Sequence, residues 1–91
     1  MCSVMVVEDN ADLRFLYKQS IDLEGHRAIV AANGQEALFL LKNEVDPPKV
    51  ILLDLMMPIM DGWEFLREKE KDPVLSHIPV IICSASRDRI P

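Results

Sequence analysis

Cysteine is scarce in this chain. Cys2 and Cys83 are its only two in 91 residues, too few for a disulfide framework. A reducing compartment, the cytoplasm, is therefore the default expectation, with both thiols free. Glycine is scarce too. Gly25, Gly34 and Gly62 stand apart and form neither a Walker loop nor a dinucleotide fingerprint. Positive charge is in deficit: 10 Lys and Arg against 15 Asp and Glu give a net charge of −5. That excludes a sequence-independent grip on nucleic acid, which needs a basic face. No apolar run approaches the length of a membrane span. Met1-Cys2-Ser3-Val4 lacks a basic stretch ahead of its strand-like continuation, so no signal peptide is expected. His26 and His77 fit no zinc spacing with the two cysteines.

What is present is an apolar content of 49% beside 27% charged residues. That composition fits one small domain over residues 1–91 with a modest core. Short runs apolar on both faces recur: Val4 to Val7, Val50 to Leu53, and Ile78 to Cys83, with a weaker one at Ala28 to Ala31. Strands buried on both faces of a parallel sheet read this way.

Helix-period segments lie between these runs. Leu13, Leu16, Tyr17 and Ile21 make an apolar stripe over about Asp12 to Glu24, and Gly25 is a stop. Asn33 with Glu36 resembles a capping box ahead of Ala37, Leu38 and Leu41. A third helix runs from near Gly62 to about Lys71, with Phe65, Leu66 and Trp63 as its inward residues. The order β-α-β-α-β-α-β predicts an open α/β sheet with right-handed crossovers.

Ligands of such sheets gather at the carboxyl ends of the strands. The first strand ends in Glu8-Asp9-Asn10, the third in Asp54, and the fourth in Ser84-Ala85. Three carboxylates meeting at one edge repel unless one takes a proton or a cation intervenes. An all-oxygen set suits Mg2+, which uses few carboxylates and keeps several waters. The backbone carbonyl of Met56 is a candidate fourth protein ligand beside Glu8, Asp9 and Asp54.

Val7-Glu8-Asp9-Asn10, Asp54-Leu55-Met56-Met57-Pro58-Ile59-Met60-Asp61-Gly62 and Ile82-Cys83-Ser84-Ala85 together resemble the receiver domain of two-component response regulators. Asp54 follows Asp9 by 45 residues and precedes Ser84 by 30, and both intervals suit that family. The resemblance implies a flavodoxin-like sheet of order 2-1-3-4. It implies that Asp54 receives a phosphoryl group from a sensor histidine kinase or histidine phosphotransfer protein. It implies that Ser84 and the Ala85 N–H contact that group. Phe15, off the buried stripe, and Leu13 become candidate docking contacts, against the plainer reading of Phe15 as a scattered surface aromatic.

The chain departs from the family's pattern at its carboxyl end. The family's lysine, at the end of a fifth strand, is expected roughly 20 residues after Ser84, judged from ordinary element lengths. The sequence stops at Pro91, so the fourth helix, fifth strand and fifth helix have no counterpart in it. Lys18, Lys42, Lys49, Lys69 and Lys71 are poor substitutes; Arg87 is near Ser84 in sequence. Strand four, residues 78–83, becomes an edge. Each uncovered aliphatic side chain there forfeits roughly 1.5–3 kcal/mol, and an apolar edge invites pairing with another chain, so the chain is expected either to self-associate through strand four or to be a fragment of a longer protein.

Two functions follow. The first is an Mg2+-dependent phosphoryl-accepting switch, not an enzyme acting on a separate substrate. The alternative is a self-associating assembly fragment. An aspartyl phosphatase is disfavoured, because Met56 stands where such enzymes carry a second acid.

Overall fold

The computed structural model describes residues 2–44 and 46–83. Its elements run β1 (Ser3–Val7), α1 (Ala11–Leu23), β2 (Arg27–Ala31), α2 (Gly34–Asn43), β3 (Val50–Leu53), α3 (Gly62–Glu70), a 3-10 turn (Leu75–His77) and β4 (Val80–Ile82). The four strands form one parallel sheet in the order β2-β1-β3-β4. This is the flavodoxin-like arrangement expected from the sequence.

The pleat divides the strand residues between two faces. Met5, Val7, Ile29, Ala31, Ile51 and Leu53 join Ala37, Leu38 and Leu41 of α2 and Phe65 of α3 in one core. α2 and α3 touch each other on that face, whereas α1 packs on β1 and β2. Val6, of opposite parity to Met5 and Val7, is fully buried as well.

Local chemistry sets the helix ends. Asn10 Oδ1 accepts the Asp12 and Leu13 N–H groups and starts α1. Gly25, at φ 82, ends it. The Gly25 and His26 N–H groups bond back to the carbonyls of Asp22 and Ile21, the paired pattern that closes a helix through a left-handed residue. Asn33 caps Glu36 N–H at 2.8 Å. The Glu36 carboxylate reaches back to the Ala32 N–H at 3.1 Å, one residue earlier than a standard capping box places it.

Three expectations need correction. Trp63, expected inward, is 56% exposed. Phe65 fixes the inward face of α3, and two residues turn a helix by about 200°. The stripe on α1 covers the sheet incompletely: none of its residues is fully buried, and Leu16 is 55% exposed. Among the described residues, no second helix lies beside α1 on that face. Strand four is shorter than residues 78–83. Ile78 N–H closes the preceding turn on Leu75, Pro79 has no N–H to give, and regular pairing begins at Val80. Among the described residues β4 is one edge of the sheet, and Ile81 and Ile82 are 52% and 44% exposed.

Candidate functional site

The parallel ladder extends one residue beyond the strands. Glu8 N–H donates to the Ala31 carbonyl and Asp54 N–H to the Val7 carbonyl, each at 3.0 Å. These bonds set Glu8 and Asp54 side by side at the carboxyl edge of the central strands. Asp9 follows on the exposed turn. Carboxylate oxygens of Glu8, Asp9 and Asp54 all lie within 4.8 Å of one another. The acidic residues singled out from the sequence therefore converge.

Two of the three are almost out of water: Glu8 is 3% exposed and Asp54 is 5% exposed. Burial pushes Glu8 up to about 7, opposed by the Asn10 N–H and reinforced by the charge of Asp54. Burial likewise raises Asp54, opposed by the Met56 N–H, which donates to its Oδ1 at 3.2 Å. A cluster with raised proton affinity and only oxygen donors fits a hard divalent cation, which would displace the proton.

The loop from Asp54 to α3 is folded tightly against the site. Ile59 sits at φ 69, a left-handed conformation costly for a β-branched residue. Two glycines make the closure possible. Gly34 N–H donates to the Met60 carbonyl at 3.1 Å, and Gly62 N–H to the Leu55 carbonyl at 3.0 Å. A Cβ on Gly62 would stand 2.7 Å from Leu55 Cα and 2.8 Å from the Asp54 carbonyl oxygen. Asp61 then caps α3 through Glu64 N–H at 2.9 Å. Met57 plugs into the core, whereas the Met56 side chain is exposed.

Ser84, Ala85 and Arg87 lie outside the described residues. Cys83, just before them, is bonded through its N–H to the Leu53 carbonyl at 2.8 Å. That bond brings the end of β4 alongside Asp54. Leu13 is half-buried and Phe15 exposed on α1. Phe15 lines a shallow cavity of about 260 Å³ with Ala11, Arg14, Lys18 and Val30. Lys69 is buried, and its Nζ donates to the Ser76 carbonyl at 3.2 Å, a brace between α3 and the 3-10 turn.

Arg14 escaped the sequence reading. Its Nη1 donates to the carbonyls of Glu8 and Asp9 at 2.8 and 3.3 Å. The signal was available, because a cation one turn past an Asn cap can fold back over the acidic turn before it. Tyr17 was read only as core. Its hydroxyl is raised above the usual tyrosine range by burial first, then by the negative fields of Cys83, Glu8 and Asp54.

Comparison with known proteins agrees with this fold. The family model described as "Response regulator receiver domain" matches residues 4–90. The chain is 35% identical over 85 residues to a probable transcriptional regulator, ycf27, of Porphyridium aerugineum, covering 93% of this chain and 33% of that protein. It is 33% identical over 85 residues to the sensor histidine kinase TmoS of Ectopseudomonas mendocina, covering 93% of this chain and 8% of that one. The chain thus spans about a third of the first relative and a small part of the second. Among solved structures, it resembles the phosphorylated cyanobacterial phytochrome response regulator RcpA, with TM-score 0.83 and 34% identity over 93% of this chain and 66% of that one. The amino-terminal domain of a receiver protein from Methanoculleus marisnigri gives TM-score 0.83 and 35% identity over 90% and 65% of the two chains. With a family match running from the first strand past the fourth, the chain belongs to the response regulator receiver domains of two-component systems.

Proposed function

We propose that this chain is a phosphoryl-accepting switch in which Asp54 is the acceptor and Glu8, Asp9, Asp54 and the Met56 carbonyl hold Mg2+. The convergence of three carboxylates within 4.8 Å, two of them buried, carries this reading. A bound magnesium ion supplies positive charge for the equatorial oxygens of the transferring group. The chain's own part is positioning. The Met56 N–H fixes one oxygen of Asp54, and the Asp54 N–H is held on the Val7 carbonyl.

The donor is a phosphohistidine on a sensor histidine kinase or histidine phosphotransfer protein. Its P–N bond breaks as an Asp54 oxygen bonds to phosphorus, and the imidazole nitrogen takes a proton. Ser84 hydroxyl and Ala85 N–H are assigned to the transferred group's oxygens, and Leu13 and Phe15 to the docking face. The chain catalyses only its own phosphorylation and dephosphorylation, in the cytoplasm, with both cysteines as thiols.

A small phosphodonor with Mg2+ tests the reading by mass spectrometry. We expect a gain of about 80 Da, one phosphoryl group entering by this transfer. Chelating the metal or making Asp54→Asn removes it. An undiminished adduct on Asp54→Asn refutes the assignment.

The exposed Ile81 and Ile82 on the edge strand support a second reading, an assembly fragment in which a second copy pairs along β4. Sedimentation of the 91-residue chain separates the two, because a concentration-independent monomer leaves only the switch.

A further inference from the structure

The turn bearing Glu8 and Asp9 is under electrostatic load. Three carboxylates converge there, and Asp9 is exposed, without packing to hold it. The turn is nonetheless enclosed by a circuit of hydrogen bonds. Asn10 N–H donates to Glu8 Oε2 at 3.1 Å. Asn10 Oδ1 caps α1, and the Arg14 N–H donates to the Asn10 carbonyl at 2.9 Å. Arg14 Nη1 then closes the circuit on the carbonyls of Glu8, at 2.8 Å, and Asp9, at 3.3 Å. The Arg14 bonds go to backbone oxygens and occupy no carboxylate oxygen; Glu8 Oε2 alone is taken, by the Asn10 N–H.

We propose that Arg14 is a positioning residue for the metal site, clamping the backbone of Glu8 and Asp9 so that both carboxylates are held at the spacing a divalent cation needs. The proposal rests on reading Glu8, Asp9 and Asp54 as metal ligands. Groups that orient ligands in this way typically govern metal affinity about 10–100-fold.

The test is Mg2+ binding by isothermal titration calorimetry, at a temperature where circular dichroism shows each variant fully folded. Arg14→Gln is expected to bind at least 10-fold more weakly than the native chain. Arg14→Lys keeps a cationic donor and recovers the greater part of that loss. Lys18→Gln removes an equal charge from the same helix, where Lys18 pairs with exposed Asp22, and binds as the native chain does. Native affinity in Arg14→Gln overturns the proposal while leaving the ligand assignment standing. An equal loss in Lys18→Gln overturns it in favour of a general loosening of α1, because removing a positive charge would by its field alone tighten Mg2+ binding. Failure of the native chain to bind Mg2+ overturns the ligand assignment and the proposal together. Should Arg14→Gln not fold, nuclear magnetic resonance of the native guanidinium carries the test. Slowed rotation about its Nε–Cζ bond supports the clamp, and free rotation overturns it.

Discussion

Removing the metal while raising the pH should weaken this fold, and the structure fixes the sign. Metal-free Glu8 is raised from 4.5 to about 7, first by burial and also by the charge of Asp54. Its folded pKa lies above its unfolded one, so between pH 4.5 and 7 the folded chain binds more protons than the unfolded chain. Stability therefore falls as pH rises through that window. A shift from 4.5 to about 7 corresponds to about 3 kcal/mol at 1.36 kcal/mol per unit. Exposed Asp9 keeps one side of the cluster wet, so this figure is a ceiling. Even half of it is a large share of the roughly 5–15 kcal/mol that holds a small domain together. The assay is urea unfolding at pH 5 and pH 7.5, at constant ionic strength, with a chelator or with saturating Mg2+. We expect the chelated chain to lose stability at the higher pH. With Mg2+, the cation displaces the proton and the loss reverses. Glu8→Gln isolates the group and should flatten the metal-free slope. A metal-free stability that holds or rises from pH 5 to 7.5, or an unchanged slope in Glu8→Gln, refutes the argument.

Gly62→Ala should damage stability and the site together. Its Cβ would meet the Leu55 Cα and the Asp54 carbonyl oxygen at under 3 Å, and backbone atoms cannot rotate away. Overpacking of this kind costs about 1–3 kcal/mol, read as a lower urea midpoint, with slower gain of the phosphoryl adduct. Phe65→Ala, at a fully buried side chain in the centre of the core, should cost about 3–5 kcal/mol. An unchanged midpoint in either variant contradicts the packing described.

The fold was legible because its strands are apolar on both faces and its helices are not. An unbroken apolar run, short and set between helix-period segments, marked Val50-Ile51-Leu52-Leu53 as a strand. The misreadings share a cause. Trp63 and Leu16 are apolar, and a pattern counts every apolar residue as a claim on the core. Which claims succeed depends on how many helices lie on each face of the sheet. α2 and α3 share one face and bury Ala37, Leu38, Leu41 and Phe65. α1 packs on the other face over β1 and β2, so its stripe stays partly wet. Lys69 is the converse case. A lysine one turn after Phe65 lies on the inward face and is buried with its Nζ donating to the Ser76 carbonyl and 3.7 Å from the Glu70 carboxylate.

In the site, the acids were legible and their support was not. Glu8, Asp9 and Asp54 are read from strand ends, because a parallel sheet brings its carboxyl ends to one edge whatever the loops do. The groups that make those acids usable act through the backbone. Gly62 and Gly34 work by having no side chain, and Arg14 works on carbonyls that every residue possesses. A sequence names side chains, so functions that a side chain performs by absence, or on another residue's main chain, leave no residue-type pattern to search for. They follow from one physical demand: like charges drawn within 4.8 Å need a rigid frame and an opposing charge. The same demand explains why strain is tolerated at Ile59, on the loop that closes over Asp54. Relaxing that loop would open Glu8 and Asp54 to water, and with their burial the raised proton affinity that a cation displaces would be lost.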